Sequence, residues 1–534
     1  GFCAANGNGS MYFAASSDAA EAKWLVTKTS DGYVFQSAAH QTYMTSDAGL
    51  SSNAENISIS DLNASVTDYS MKYDLSALNA LDSLNGIQVI SRLHTLGLSR
   101  SDLMNPEANM TSLNTNIQSA LSGLPTQTVQ YTGTDVDDLN QFLQNNTGKI
   151  VQLTQDIQVY KNTNGSFGII MVPSDTILDG TGHRLVMKAG YTEAPDVGVV
   201  LYVYKDGVIP STNCGVKNLS TDIPYVNSIN VFSADNILIE NNTLNNATKS
   251  GIMISDEYGS TVNGIIRGNT INNVGDDAIA VYGNHSNLLI DSNRISGAKG
   301  FAGIAISCLQ NGQQIRVDNE TTGPHDIIVT GNVISGCSGE ALYCIGSYKT
   351  YITYNTLRDS ILEGVCLDSG CIGNYFAHNE VVNNGIAGGL PGVSIDNGIY
   401  NIVDSNNIYN NSCSGIKLVR TGLGNIIVNN ICTDNAYNQM GAKSSGIDIE
   451  PLAVETENLG YIDGLGSNWN VVLNNTVTGS HDFGVFIADD DTANNGGSSC
   501  ENVIMYNKFS SAYTFGAADF SSMSSTVKNN ITLN

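Results

Sequence analysis

The chain has 534 residues, with 23 Lys+Arg against 50 Asp+Glu and a formal charge of −27. Such a surface repels nucleic acid and anionic lipid, which excludes duplex binding and membrane-surface docking as leading functions and disfavours a polyanionic polysaccharide. No run of 18 apolar residues exists, so no membrane span is predicted, and the start Gly1-Phe2-Cys3 reads as that of a mature, processed chain.

The first 55 residues predict short strands at Ser10–Ala14, Lys23–Val26, Gly32–Phe35 and Gln41–Met44. A Trp strand followed by two aromatic strands resembles one unit of a β-trefoil. From 58 to about 122 the apolar residues fall three and four apart, which predicts short amphipathic helices at Ser76–Leu84, Ile90–Leu93 and Thr111–Leu124. Residues 1–125 are thus expected to form a strand-plus-helix capping or attachment region. Asp135-Val136-Asp137-Asp138-Leu139 then opens a capping helix, its acids at the positive end of the helix dipole.

Beyond residue 126 the sequence becomes periodic. A short aliphatic strand, an asparagine and a Gly- or Ala-initiated strand recur, with turn asparagines at Asn242, Asn269, Asn293, Asn332, Asn355, Asn379, Asn407, Asn430, Asn475 and Asn507. Asn242 to Asn269 spans 27 residues, Asn332 to Asn355 23 and Asn355 to Asn379 24, the spacing of a β-solenoid. The stretch 126–534 resembles the right-handed parallel β-helix of the pectate-lyase-like superfamily. The resemblance implies an all-β fold of about eleven coils in which the asparagines stack as a structural ladder. It also implies a carbohydrate-active type of protein, extracellular or at a cell surface.

Four segments of the repeat are written almost alike: Gly364–Asp368, Gly392–Asp396, Gly415–Arg420 and Gly446–Glu450. A strand alternates its faces, so the aliphatic residues point inward and Cys366/Asp368, Ser394/Asp396, Lys417/Arg420 and Asp448/Glu450 form an outward stripe. Charged residues make up only 14% of the chain, so this concentration marks the candidate site. Asp368 and Asp396 lie 28 residues apart, one coil, in the same register. Stacked strands are about 4.8 Å apart, close to the roughly 5–5.5 Å between the carboxyls of a retaining glycosidase. These two are the predicted catalytic carboxylates. Lys417 and Arg420 are expected to tune their charge and bind substrate, and Asp448 and Glu450 to extend the subsite. A calcium ion held by the acid ladder is the alternative occupant; otherwise neither metal nor cofactor is predicted.

Asp276 and Asp277, in Gly275-Asp276-Asp277-Ala278-Ile279-Ala280, resemble the acid segment of polygalacturonase-type hydrolases and are the second-choice catalytic pair. The companion Gly-His-Gly and Arg-Ile-Lys motifs of that family are absent, since the next coil reads Phe301-Ala302-Gly303-Ile304. Glu340 and Glu363 form a further stacked pair. His378 and His481 stand alone and read as packing residues. Tyr343, Tyr348, Tyr351, Tyr375, Tyr400, Tyr461 and Trp469 are candidate sugar-stacking rings. The ten cysteines are scattered and read mainly as small buried hydrophobes, with Cys366 and Cys371 near enough in sequence to bridge. Insertions at 308–325 and 451–468 follow Gly-initiated strands and are expected to wall a groove beside the stripe.

Two functions of different class fit this reading. One is an enzyme that cleaves or transfers glycosidic bonds of an oligo- or polysaccharide. The other is a non-catalytic β-helix adhesin, spike or structural protein, with a polysaccharide lyase or epimerase as a third. The sequence leaves the oligomeric state open.

Overall fold

The computed structural model describes residues 2–5, 11–14, 24–28, 33–37, 43–44, 50–51, 96 and 98–533, apart from 162–167, 192, 205–206, 311–312, 315–322, 437–444, 452–465, 489–497, 511–512, 514 and 522–524. The chain divides into two units, 1–80 and 81–534. In the first, Phe2–Ala5 pairs with Met11–Ala14, and Trp24–Lys28, Tyr33–Ser37, Tyr43–Met44 and Leu50–Ser51 form an antiparallel sheet. The expected helices at 76–84 and 90–93 fall outside the described residues.

The second unit is a right-handed parallel β-helix. Three parallel sheets of 13, 15 and 14 strands run its length. Each coil contributes one strand to each sheet in turn, as in Val365–Asp368, Tyr375–Ala377 and Glu380–Val382. Among the described residues the first sheet has 13 strands, of which Ile170–Met171, Val197–Val200 and Asn227–Phe232 precede the first turn asparagine.

Alternation fixes the core. Val365 and Leu367, with their register partners Val393, Ile395, Ile416 and Leu418, point inward and join one buried column running from Tyr131 to Phe509. The strand-initiating glycines are there for space. A Cβ on Gly446 would meet Val477 Cγ1 at 2.1 Å, and one on Gly364 would meet Val381 Cγ1 at 2.5 Å across the narrow interior. At these two coils a side chain would clash, whereas Ala278 and Ala341 hold the equivalent position where the neighbouring side chains leave room for a methyl.

Asparagine ladders tie the coils together. Asn379 illustrates the unit: its Nδ2 donates to Ile352 O at 2.9 Å and to Asn406 Oδ1 at 3.1 Å, while its Oδ1 accepts from Asn355. Each rung satisfies a buried backbone group that no strand partner reaches. The ladder member in the next coil is Asn406 rather than Asn407, because Ser405 takes the positive-φ turn position that His378 holds before Asn379. Two further ladders, Asn374–Asn401–Asn425–Asn470–Asn502 and Asn384–Asn411–Asn435, hold the other corners. His481 ends the last one by accepting from the Asn435 N–H at 3.1 Å. Burial lowers its pKa to about 4, so it is a neutral acceptor.

The helix Val136–Asn145 buries Val136, Leu139 and Leu143 in the core column, and Asp135 caps it by accepting from the Asp137 N–H. It closes the end of the coil, where open strand edges would otherwise invite association. The helix Pro106–Ala120 lies elsewhere, packed against second-sheet strands Val262–Arg267, Ser286–Asp291 and His325–Thr330. Its Glu107 accepts from the Tyr375 hydroxyl at 3.2 Å.

Candidate functional site on the outward face of the first sheet

The register of the first sheet sets the stripe. One outward column runs Tyr343, Cys366, Ser394, Lys417, Asp448 and Phe486. A second runs Ser307, Ile345 and Asp368, and on the next strand Asp396 is aligned with Val419. The four segments singled out in the sequence therefore share one face.

Asp368 is held from two sides. The Tyr343 hydroxyl donates to its Oδ2 at 2.9 Å and the Ser369 hydroxyl to its Oδ1 at 2.6 Å. Asp396 receives Arg420 Nη1 on Oδ2 at 2.6 Å, while its buried Oδ1 has no protein partner. Its pKa rises to about 7, first through burial and then through the charge of Asp368, and Arg420 only partly offsets both. A short ion pair would by itself favour the carboxylate. Here the loss of hydration and the neighbouring acid outweigh it.

Lys417 lies one coil on, aligned with Ser394 and Asp448, and its Nζ pairs with Glu450 Oε2 at 2.8 Å. Burial alone would lower its pKa, but the charges of Asp448 and Glu450 raise it, so Lys417 is a cation. Asp448 is buried and accepts from the Ser414 hydroxyl at 3.3 Å through Oδ2, leaving Oδ1 unpartnered. Burial and then the Glu450 charge push it well above the carboxylate range. Of the two cations expected beside the catalytic pair, Arg420 reaches Asp396 and Lys417 serves the Asp448/Glu450 coil.

Of the second-choice acids, Asp277 borders the same face, nearer the N-terminus, just before the strand Ile279–Tyr282. Asp277 is fully buried and accepts from the Ala302 N–H at 2.9 Å and from the Tyr282 hydroxyl. Burial raises its pKa to about 7. Glu340, buried with Oε2 unpartnered, rises to about 7 through burial and the charge of Glu363, with smaller contributions from Asp368 and Asp277. Glu363 is raised too, chiefly by burial. Desolvated acids thus recur along the face from Asp277 to Asp396, with one acid-free coil, Gly300 to Cys308, between Asp277 and Glu340.

Tyr343 is part of this site as a hydrogen-bond donor, a role that its place in the column with Cys366 and Ser394 makes legible. The other rings proposed for sugar stacking are buried: Tyr348, Tyr351, Tyr375, Tyr400 and Trp469 fill corners and the second sheet. Tyr461 lies outside the described residues, as does most of the insertions 308–325 and 451–468. Cys366 and Cys371 are not bridged, because one sits on the outward face and the other turns into the core. Among the described residues no group of three or more His, Cys, Asp or Glu is placed to hold a metal ion, and no helix is long and apolar enough to cross a membrane.

Residues 201–322 match the family model described as "Right handed beta helix region". No curated protein matches the chain. Among solved structures it is similar to the mannuronan C-5 epimerase AlgE6 A-module of Azotobacter vinelandii, at 14% identity and TM-score 0.44 over 75% of this chain and 100% of that one. It is also similar to PfbA, a surface adhesin of Streptococcus pneumoniae, at 12% identity and TM-score 0.42 over 72% and 91% of the two chains. A mutant tailspike protein of E. coli bacteriophage HK620, solved with a pentasaccharide, matches at 13% identity and TM-score 0.41 over 72% and 74%. Likeness at this level carries no argument about the chain. With the strand register and the family match together, the chain is a right-handed parallel β-helix.

Proposed function

We propose that the acid-lined face of the first sheet binds an oligo- or polysaccharide and that Asp368 and Asp396 act on its glycosidic bonds. The observation that carries this reading is Asp396: a half-buried carboxyl beside a second one, with a pKa of about 7 and a buried, unpartnered Oδ1. A group poised near neutrality can hold a proton and release it to a leaving glycosidic oxygen. Asp368, oriented by the Tyr343 and Ser369 hydroxyls, attacks or stabilises the anomeric carbon. Stacking on adjacent coils favours the retaining or transglycosidase outcome over the inverting one. Lys417, Glu450 and Asp448 offer donors and acceptors to the next sugar hydroxyls. On this reading the protein works outside the cell or at a cell surface, on a weakly charged glycan.

The test is a released-sugar screen with Asp368→Asn and Asp396→Asn, folding being checked by melting temperature. Loss of about a thousandfold or more in rate in both well-folded variants is expected. Near-normal turnover in both would move the chemistry to Asp276 and Asp277. Products with unsaturated ends would identify a lyase instead. A parent inactive on every glycan would favour the adhesin or spike reading.

A further inference from the structure

We propose that the substrate of this face is a long neutral glycan laid along the helix axis and gripped by an aromatic platform of Tyr202, Phe232 and Tyr258, several coils before the acid pair. The inference rests on the glycan-acting reading and names its substrate class.

The platform is in line with the acids. Phe232 is aligned with Ser255, Ser255 with Tyr282, Tyr282 with Ser307, Ser307 with Ile345 and Ile345 with Asp368. Five strand spacings separate Phe232 from Asp368, about 24 Å, which is the reach of a polymer and not of a single sugar. Tyr202 and Phe232 stack with centroids 5.1 Å apart and planes at 17°, and Tyr258 leans on Phe232 at 5.5 Å. None of the three belongs to the core column, and Tyr258 is 50% exposed. Ile209, paired with Val203 on the hairpin that Tyr202 begins, is 50% exposed. Tyr202 and Phe232 are half-buried beneath the exposed Tyr258; rings grouped at a surface mark a contact site, and flat rings with a polar rim suit sugar faces. Asp256 and Glu257, next to Tyr258, supply acceptors for sugar hydroxyls and repel a polyanionic chain.

A second aromatic group stands beyond the acids. Phe486 is aligned with Asp448, lies 5.5 Å from Phe520, and Phe520 is 43% exposed. The acid run is therefore bracketed by rings on one face, as a track for an extended chain requires.

The experiment is affinity electrophoresis in gels containing soluble starch, dextran, xylan or glucomannan, followed by kinetics on a size ladder of the retarding polymer. Tyr258→Ala and the Tyr202→Ala/Tyr258→Ala pair are compared with the parent and with Tyr191→Ala, an exposed tyrosine that follows the third-sheet strand Arg184–Met187. Retardation by at least one polymer is expected, weakened about tenfold in the double variant and unchanged in Tyr191→Ala. The loss in kcat/KM should grow with chain length. Equal retardation of parent and double variant, or no retardation of the parent by any polymer, overturns the proposal. Binding without turnover in the parent would retire the glycosidase reading and leave the platform. Turnover with equal binding by parent and Tyr258→Ala would retire the platform and leave the reading.

Discussion

Arg420 Nη1 stands 2.6 Å from Asp396 Oδ2, yet the Asp396 carboxyl titrates near 7. The guanidinium pulls it down, against burial and the charge of Asp368. Replacing it with Met should raise the Asp396 pKa further. The pH-dependent limb governed by this group should then move to higher pH, as read from an NMR titration of Asp396 in the parent and in Arg420→Met. A limb that stays in place would mean that Arg420 does not set this equilibrium.

Glu340 gives a stability prediction. Its pKa rises from 4.5 to about 7 on folding, so the folded state binds the extra proton. The stability this represents is present below pH 4.5 and is lost as pH rises through 7. The shift corresponds to on the order of 3 kcal/mol at full depth. Glu340→Gln, which keeps the shape without the charge, should flatten the fall in melting temperature between pH 5 and pH 8. Melting curves across that range decide it.

The asparagine rungs should be unequal to their neighbours. Asn379→Ala strips partners from Ile352 O, the Asn355 N–H and Asn406 at once. With several buried polar groups left unmade, a loss of about 3–5 kcal/mol is expected. Asn407, exposed on the strand Asn407–Tyr409, should tolerate Ala within about 0.5 kcal/mol. Denaturant midpoints of the two variants compare them directly.

Gly446→Ala should destabilise through overpacking. Its Cβ would lie 2.1 Å from Val477 Cγ1 and 3.1 Å from Gly484 O, so backbone or core must shift, at about 1–3 kcal/mol. The double variant Gly446→Ala/Val477→Ala should recover part of the loss. Absence of any recovery would show that the backbone contact dominates.

The fold was legible because its signals are local and repeat. A two-residue alternation and an asparagine every coil say which residues face inward and which share a register, so the stripe from Asp368 to Glu450 could be read from the letters alone. The slip from Asn406 to Asn407 shows the limit of that reading: two adjacent asparagines are equivalent in sequence, and only the positive-φ residue before one of them selects it.

What tertiary structure decided is everything that depends on reach and burial. Whether Lys417 turns to Asp396 or to Glu450 is a matter of rotamer and neighbouring charge, and the strand pattern is silent on it. Tyr351 and Tyr258 are the same residue type, but one lies within the second sheet and the other in an exposed turn, so the rings chosen from sequence were mostly the buried ones. The two further asparagine ladders and the desolvation that raises Asp277, Glu340 and Asp396 arise likewise from coils stacking on one another. Sequence fixes the order of residues along each coil; hydration and pairing are set between coils, where residues far apart in the chain meet.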